Sequence, residues 1–451
     1  MVSEVELRKA FFSNFFLSLE RRGANYVIVG PVDEFPDSFA SDIDFVVNKA
    51  DAAIVYDALI AAGAGGWSLV QIIRHEVDAC YFVYSATLEG QIFWMELDVS
   101  FDYRRRGRLW MRSADLLRNR RQHPRGFWVP GAADAFQYYL IKKLDKGSID
   151  ARQAACLAGW VGEDPDGCAR VAQSLLGAAG WQSLRAGLLA GNAAAGTAST
   201  SMTELTAILR QRAAQEGGLA RGLARMRDLW RMAGRVLRPT GLVVAVLGPD
   251  GVGKSTVIAA LQRELQPAFR RVAYRHLRPR VLRRGQAAPS EITNPHGTAK
   301  RGWAASLAKL GLFVADSVLG EWLSIRPLKI QSSLVIFDRY PHDMLADPRR
   351  YGLATPRWLN ASVLGLVPKP DLWLILDAPV TVIMARKQEI TAESCATVRA
   401  GYRALAEALP NARIIDTTGG IDDSVGRAFD AVLSALASRT ARRTHVMDGV
   451  A

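Results

Sequence analysis

The sequence predicts an α/β protein that is built of three parts, and three observations carry this prediction. Short strand-like and helix-like runs are mixed over residues 1–128, residues 129–239 are rich in Ala, Leu and Arg at helical spacing, and strand and helix alternate regularly over residues 240–438. Regular alternation is typical of a parallel sheet with helices on both faces, whereas the mixed pattern is typical of an α+β domain. We expect residues 439–451 to form a flexible tail.

The composition indicates a folded, basic protein. Apolar residues make up 49% of the 451 residues, enough for sizeable cores, which excludes a largely disordered chain. The four cysteines lie far apart, so we expect neither a zinc module nor a disulfide scaffold. A net charge of +13 favours anionic partners. We expect a cytoplasmic protein, because Glu4 and Glu6 do not fit a signal peptide and no uncharged apolar run reaches about 20 residues.

A phosphate-binding loop is predicted near the start of the C-terminal part. The sequence GPDGVGKST, residues 248–256, matches G-x-x-x-x-G-K-[ST], follows the apolar run LVVAVL and precedes an amphipathic run. Glycines turn backbone N–H groups toward phosphate oxygens, and the following helix presents its positive N-terminus to the same anion. Lys254 is expected to reach the terminal phosphates, and Ser255 to supply a hydroxyl to Mg²⁺. The loop residues predicted to bind a nucleotide are Gly248, Gly251, Gly253, Lys254, Ser255 and Thr256.

Two later strands of this part end in a carboxylate. The run Leu334–Phe337 continues into Asp338 and Arg339, and the run Asp371–Leu376 continues into Asp377. Ligands of open α/β sheets lie beyond the carboxyl ends of the strands. Asp338 is therefore expected to lie at the metal, and Arg339 to brace a transferring phosphoryl group. For Asp377 we expect a helix N-cap instead.

The order of these motifs resembles the thymidylate kinase family. The likeness covers residues 240–438, in which the phosphate-binding loop is followed by the DRY sequence, by PDLWLILDAP and by a helix that contains Arg386 and Lys387. The resemblance implies a phosphotransferase that uses ATP and Mg²⁺. The catalytic residues that it implies are Lys254, Asp338, Arg339 and Arg386.

The resemblance also implies roles around the nucleotide. Asp250, which belongs to the predicted nucleotide site, would contact the sugar of the acceptor. Lys387 would supply a cation to the phosphates from a short lid. Arg413 or Asp416 would lie near the adenine.

Two stretches depart from the thymidylate kinase pattern on the acceptor side. YRHLRP replaces the usual Arg-Glu-Pro-Gly-type stretch, and PHDMLADPRRYG replaces the residues that frame thymine. These stretches resemble those of kinases found among bacterial polysaccharide-assembly proteins, and the resemblance implies that the acceptor is a glycan, a nucleotide-sugar or a lipid-linked saccharide and not thymidylate. No general base is chosen among His276, Asp343 and Asp347, because phosphoryl transfer depends mainly on positioning and charge neutralisation. The cations that these stretches add are Arg275, His276, Arg278, Arg349 and Arg350, for which a solvated basic surface is the alternative.

Three carboxylates are predicted to meet in the N-terminal part. Asp42 and Asp44 alternate along one strand, and Asp98 lies on the strand-like run Phe93–Phe101. Residues two apart on a strand point to the same face. Carboxylates at one strand edge can hold the metal ions that a nucleotidyl transfer needs, so these three are predicted metal ligands.

The N-terminal pattern resembles the minimal nucleotidyltransferase fold over about residues 20–150. Gly30 follows the first strand as in that fold, and the resemblance implies cations at Lys142, Lys143 and Lys146. Pro31, however, removes a backbone donor that would bind phosphate. Binding of a nucleotide or glycan without catalysis, and a polar strand edge without a ligand, therefore remain alternatives.

The basic helical middle leaves two interpretations open. Leu219–Arg238 places Leu, Met, Trp and Val at helical spacing with Arg between them. This pattern fits a connecting helix with a solvated face, or a helix lying on anionic lipid at the inner membrane. Nucleic acid is not expected as a partner, because no aromatic-interleaved basic motif is present; the oligomeric state is left open.

Three hypotheses for the function follow from the sequence. The first is a kinase dependent on ATP and Mg²⁺ that acts on a small-molecule or glycan acceptor. The second is a bifunctional nucleotidyltransferase and kinase. The third is a nucleotide-gated binding protein of a membrane-associated polysaccharide assembly system.

Overall fold

The computed structural model describes residues 3–38, 42–76, 78–105, 108–189, 195–214, 218–282, 302–388 and 390–447. The chain divides into two compact units. The N-terminal unit comprises residues 1–88, 93–233 and 442–451, and the C-terminal unit comprises residues 89–92 and 234–441.

The N-terminal unit contains a mixed five-stranded sheet in the order β1-β2-β5-β4-β3. β1 and β2 are antiparallel, as are β3 and β4, whereas β2 and β5 are parallel. The register places Asp44 of β2 directly beside Asp98 of β5. These strands are β1 (Tyr26–Val29), β2 (Ile43–Val47), β3 (Ser68–Glu76), β4 (Ala79–Leu88) and β5 (Gln91–Ser100). Four short strands pair in two ribbons: β6 (Tyr103–Arg105), β7 (Arg108–Met111), β8 (Arg121–Gln122) and β9 (Trp128–Val129).

Helices cover both faces of the β1–β2 part of this sheet. On one face Tyr26 and Phe45 pack against the phenylalanines of α1, whose N-terminus is closed by a capping box of Ser3 and Glu6. On the other face Val27 and Val46 pack against the helices that follow residue 131. The helices are α1 (Glu4–Arg21), α2 (Ala52–Ala62), α3 (Ser113–Arg118), α4 (Ala132–Lys146), α5 (Ala151–Glu163), α6 (Pro165–Leu189), α7 (Ala195–Ala214) and α8 (Gly218–Leu237).

The helical stretch that the sequence separates at residue 129 is thus part of the N-terminal core up to α7. Leu140 of α4 and Leu205 of α7 lie in the same buried cluster as Val29 of β1. The reason is that β1 is buried on both faces, so it needs a second apolar layer. The sequence pattern shows the helices but not the surface that they cover.

The C-terminal unit contains a parallel five-stranded sheet in the order β11-β12-β10-β13-β14, which confirms the predicted α/β fold. β10 lies in the centre and is wholly buried. The strands are β10 (Leu242–Leu247), β11 (Arg271–His276), β12 (Ser333–Asp338), β13 (Leu372–Asp377) and β14 (Ala412–Asp416). The helices are α9 (Lys254–Glu264), α10 (Trp303–Gly320), α11 (Arg326–Ile330), α12 (Asp343–Ala346), α13 (Arg357–Leu364), α14 (Val380–Arg386), α15 (Ala392–Ala408) and α16 (Ile421–Met447), with a π-helical turn at Glu321–Ile325.

Of the described residues, one helical run, Trp303–Ile330, is long and apolar enough to cross a membrane by length and composition alone. About a third of its most apolar window is buried, and Leu310 and Phe313 belong to the core of the C-terminal unit. Asp316 on this run is fully buried and accepts hydrogen bonds from the backbone N–H groups of Arg280 and Leu282. Core helices of soluble proteins have the same composition.

Residues 439–451 were predicted to form a flexible tail, but the helix α16 includes the first part of this segment and ends at Met447. The guanidinium of Arg439 donates hydrogen bonds to the carbonyl oxygens of Thr240 (2.8 Å) and Gly241 (2.7 Å). These contacts join the C-terminal part of α16 to the residues just before β10. They join residues almost 200 positions apart, so no local sequence pattern predicts them.

Candidate nucleotide and metal sites

The loop between β10 and α9 has the backbone that its glycines permit. Gly248 has φ +147°, and a Cβ at this position would lie 2.7 Å from the carbonyl oxygen of Leu376. Gly253 precedes α9 in the left-handed region, with φ +101°. A side chain is excluded by contact at the first position and disfavoured by conformation at the second. Ser255 and Thr256, in the first turn of α9, are exposed, as expected for groups that face a ligand.

The side chain of Lys254 is folded back into this loop. Its Nζ donates hydrogen bonds to the carbonyl oxygens of Gly248 (2.9 Å) and Pro249 (2.7 Å) and lies 3.4 Å from a carboxylate oxygen of Asp250. Burial and the nearby charge of Arg339 lower the pKa of Lys254 to about 8. The ammonium is therefore held among carbonyl groups at the place where a phosphate would bind, in surroundings where an anion would stabilise its charge.

Asp250 is the centre of an ion-pair cluster at the mouth of the loop. Its carboxylate accepts hydrogen bonds from the guanidinium groups of Arg339 and Arg350. Burial alone would raise the pKa of the Asp250 carboxyl, but Lys254 and the two arginines hold it well below its ordinary value. Asp250 is thus ionised and joins the loop to the two arginines.

Arg339 is fixed by the backbone and by buried partners. Its φ is +65°, unusual for a residue other than glycine, and its N–H donates to the carbonyl of Val246 at 3.0 Å. Its guanidinium donates to Asp343 at 2.8 Å and to the hydroxyl of Tyr402 at 3.2 Å. Asp343 is fully buried and also accepts from Tyr351 (2.6 Å) and Tyr402. Asp343 therefore orients Arg339 and is not placed as a free base.

The sequence reasoning named neither tyrosine of this network. Tyr351 ends the DPRRY stretch directly after Arg349 and Arg350, so its position in the sequence could have predicted a contact with the site. Tyr402 lies 59 residues after Asp343, on α15, and carries no local signal.

Asp338 ends β12 beside the loop strand, as predicted. Its register partner on β10 is Val246, and its Oδ2 accepts a hydrogen bond from the hydroxyl of Tyr274 at 3.0 Å. Its Oδ1 is buried and has no hydrogen-bond partner among the described residues. A buried carboxylate oxygen without a partner fits a Mg²⁺ site, because such an atom is costly unless a cation or donor meets it.

The two predicted lid cations have different surroundings. Lys387 follows α14 and lines the cleft that Asp250, Arg339 and Arg350 also line. A Cβ on Gly251 would lie 2.9 Å from the Cβ of Lys387, so this residue borders the loop directly. Arg386 instead donates to the carbonyl of Thr417 after β14, at 2.8 Å. In this arrangement its guanidinium is held at the end of β14.

Asp377 does not cap a helix, which corrects the sequence prediction. The residue that precedes α14 is Pro379, and Asp377 accepts two hydrogen bonds from Arg399 (2.6 and 3.0 Å) and one from Arg403 (2.9 Å). The two arginines are one turn apart on α15, so they present both cations to the end of β13.

The predicted acceptor-side cations have different surroundings, and most of them lie outside the cleft at Asp250. Arg278 is structural: its guanidinium lies 4.7 Å from the ring centre of Phe313 and 3.5 Å from the buried Asp316. Burial lowers the pKa of His276, whose register partner is Asp338. Arg350 alone of this set reaches the cleft at Asp250, while Arg275 bonds to its neighbouring carbonyl and Arg349 is exposed.

A second cluster lies in the N-terminal unit, where the three predicted carboxylates meet. Asp42, Asp44 and Asp98 each offer an oxygen within 4.8 Å of the others. Lys142 of α4 forms an ion pair with Asp44, and Nε2 of His75 lies 3.6 Å from Asp98. Burial raises the pKa of both Asp44 and Asp98, and the neighbouring carboxylates add to this rise. One oxygen of Asp98 is buried without a hydrogen-bond partner among the described residues, which fits a divalent cation.

Comparison with known proteins supports the C-terminal assignment. The family model of thymidylate kinase matches residues 246–426. The thymidylate kinase of Xanthomonas oryzae pv. oryzae is 27% identical over 214 residues, and that of Xanthomonas campestris pv. campestris is 29% identical over 211 residues. Each alignment covers 45% of this chain and 88% of the relative.

Among solved structures, the thymidylate kinase of Ehrlichia chaffeensis is 20% identical with a TM-score of 0.29, over 43% of this chain and 99% of that one. The loop, the Asp338–Arg339 pair and the family match agree in position along the chain. Residues 246–426 of this chain are therefore similar to thymidylate kinases, both in sequence and in the order of their motifs.

Proposed function

We propose that the C-terminal unit transfers the γ-phosphoryl group of ATP, bound with Mg²⁺, to an acceptor that lies beside Asp250. The observation that carries this proposal is the buried Lys254 in a glycine loop that faces the fixed Arg339. Phosphoryl transfer depends on positioning and on charge neutralisation, and Lys254 and Arg339 place two cations beside Asp250 for this purpose.

Each group of this site has a role in the proposal. Nucleotide phosphates replace the loop carbonyls as partners of Lys254, while the N–H groups of the loop and of the first turn of α9 hold the same oxygens. Ser255 and Asp338 would hold Mg²⁺, which would supply positive charge against the negative charge that develops on the phosphoryl group. Arg339, held by Asp343, faces the acceptor side of the cleft.

The acceptor in this proposal is a phosphorylated saccharide, such as a nucleotide-sugar or a lipid-linked saccharide. Arg350 supports this choice, because it adds a second guanidinium at Asp250 within the stretch that departs from the thymidylate kinase pattern. An anionic acceptor can exchange with the Asp250 carboxylate at this arginine, since guanidinium groups bind phosphate and carboxylate in the same geometry. Met384 and Val398 give the same cleft an apolar wall.

The test is product analysis by mass spectrometry after incubation of the full chain with ATP and Mg²⁺. The acceptors are thymidylate, a sugar phosphate, a nucleotide-sugar, a lipid-linked pyrophosphate saccharide and a neutral glycan. We expect phosphorylation of a phosphorylated saccharide by the wild type and by Lys369→Met, and none by Lys254→Met. Thymidylate as the preferred acceptor would contradict the acceptor assignment alone, whereas no turnover of ATP with any acceptor would contradict the kinase.

A second function is proposed for the N-terminal unit, on the observation that Asp42, Asp44 and Asp98 converge. We infer that these carboxylates hold divalent metal for a nucleotidyl transfer, with Lys142 balancing Asp44 when no metal is present. Pyrophosphate release from nucleoside triphosphates measures this activity separately from ADP formation. The double variant Asp42→Asn, Asp44→Asn should lose pyrophosphate release and keep ADP formation. If the wild type releases no pyrophosphate with any nucleoside triphosphate, this second function is wrong.

A further inference from the structure

Tyr274 reaches from the edge strand of the C-terminal sheet to the carboxylate that ends the next strand. β11 and β12 are parallel, and Tyr274 pairs with Ile336, two residues before Asp338. Register partners on adjacent strands, and residues two apart on one strand, share a face of a sheet, so Tyr274 and Asp338 lie on the same face. Two residues of a strand span about 7 Å. The hydroxyl of Tyr274 bridges this distance and lies 3.0 Å from Oδ2 of Asp338.

The two oxygens of the Asp338 carboxylate therefore have different surroundings. Oδ2 accepts the hydrogen bond from Tyr274, whereas Oδ1 is buried and has no hydrogen-bond partner in the part of the chain that the structure describes. The phenol hydroxyl donates its one proton, and the carboxylate oxygen accepts it. This bond fixes the rotation of the carboxylate and leaves Oδ1 as the oxygen that still lacks a positive partner.

We propose that Tyr274 is a positioning residue for the metal ion: it holds Oδ2 of Asp338, so that this carboxylate binds Mg²⁺ through Oδ1 alone. The inference rests on the proposed kinase function, in which Asp338 would hold the metal. Mg²⁺ demands nearly ideal octahedral geometry, whereas Ca²⁺ also accepts both oxygens of one carboxylate. A held Oδ2 therefore favours the smaller ion. Hydrogen bonds to metal-binding groups typically change the metal affinity by about 10- to 100-fold.

The surroundings of Tyr274 favour this role over a contact with the acceptor or a role in the core. Tyr274 begins the stretch YRHLRP, which departs from the thymidylate kinase pattern, and its hydroxyl is engaged by Asp338. The side chain is 43% exposed, so loss of the hydroxyl costs the core little. His276 is the register partner of Asp338, but among the described residues no hydrogen bond joins its imidazole to this carboxylate.

Calorimetry with a non-hydrolysable ATP analogue measures this role without turnover. The analogue is titrated into the full chain without metal, with Mg²⁺ and with Ca²⁺. The parent chain carries Asp42→Asn and Asp44→Asn, which removes two carboxylates of the N-terminal cluster and so separates its metal binding from that of the nucleotide site.

The variants of this parent chain separate the hydroxyl from the rest of the site. Tyr274→Phe keeps the ring and removes the hydroxyl. Asp338→Asn, alone and combined with Tyr274→Phe, completes a double-mutant cycle. Tyr84→Phe loses a hydroxyl that donates to the carbonyl of Leu59 at 2.7 Å in the N-terminal unit, so it is the matched control. Circular dichroism checks that each variant is folded.

Tyr274→Phe should bind the analogue like the parent chain without metal, and about tenfold more weakly with Mg²⁺. The loss with Ca²⁺ should be smaller, because Ca²⁺ gains access to the released Oδ2. In the Asp338→Asn background the same change should have no further effect, since Tyr274 acts through Asp338. Tyr84→Phe should bind like the parent chain in all three conditions.

Three results would overturn the inference. If Mg²⁺ strengthens binding to the parent chain and to Tyr274→Phe by the same factor, the inference alone is wrong. The same holds if the loss persists undiminished in the Asp338→Asn background, or if it is equally large without metal, because Tyr274 would then act independently of the metal ligand. If Mg²⁺ does not strengthen binding to the parent chain, the metal role of Asp338 in the proposed function is wrong, and this inference is wrong with it.

Discussion

Because Lys254 is buried, its positive charge lowers the free energy of unfolding of the C-terminal unit. Its pKa falls from 10.5 to about 8 in the folded chain, through burial and the charge of Arg339. Below about pH 8 the lysine is charged in both states, and the folded state bears the full penalty. As the pH rises from about 8 to 10.5, the unfolded state binds more protons, so the free energy of unfolding rises.

The size of this effect follows from the shift. The whole displacement corresponds to about 3 kcal/mol, and about 2 kcal/mol of it appears between about pH 7 and pH 9.5. The variant Lys254→Met has no such penalty. The free energy of unfolding of this variant minus that of the wild type should therefore be about 2 kcal/mol larger at about pH 7 than at about pH 9.5.

Urea unfolding, followed by pulsed hydrogen exchange in peptides of β10 and β13, measures this difference within the C-terminal unit. Lys369→Met is the matched control, because this lysine is exposed in the folded chain. The difference between this control and wild type should not vary with pH. A Lys254→Met difference that is flat across this pH range, or that grows as pH rises, would refute the reasoning.

Three further predictions concern single groups. Asp343→Asn should lower the free energy of unfolding by about 3 kcal/mol, because it removes the buried charge that pairs with the guanidinium of Arg339, and Tyr402→Phe by about 1 kcal/mol; thermal unfolding measures both, and Asp430→Asn, at an exposed position, should change nothing. Gly248→Ala should abolish ATP binding in calorimetry, since its Cβ would meet a carbonyl oxygen at 2.7 Å; retained affinity would contradict the loop geometry. Mn²⁺ at a hundredfold excess over its Kd should stabilise the wild type by about 3 kcal/mol and the Asp98→Asn variant much less; equal stabilisation would remove the N-terminal metal site.

The parts of the site that could be predicted are those whose signals are local. The loop glycines and Lys254 occupy one contiguous motif, and Asp338 follows a buried strand directly, so strand order alone brings it near the loop. Asp42, Asp44 and Asp98 were also predictable, because a period of two fixes the face of each strand.

Other features depend on contacts between distant segments. The partners of Asp377 are arginines of α15, so a helix cap was the simpler expectation there. Asp316 and Phe313, the partners of Arg278, lie on α10, so an acceptor site or a solvated surface was the simpler expectation for this arginine. Helical periodicity shows that α8 has an apolar and a basic side. It cannot show which side contacts the rest of the N-terminal unit, because that depends on a partner distant in the chain, the carbonyl oxygen of His75 that accepts a hydrogen bond from Arg231.

The hydrogen bonds of Arg439 have a consequence for the architecture of the gene product. Because they fasten α16 to Thr240 and Gly241, the two ends of the segment 240–439 lie close together. A domain whose ends lie close together can be inserted into another protein without disrupting its own sheet. Circular permutants that join these ends and open at an exposed turn should retain the module's shape.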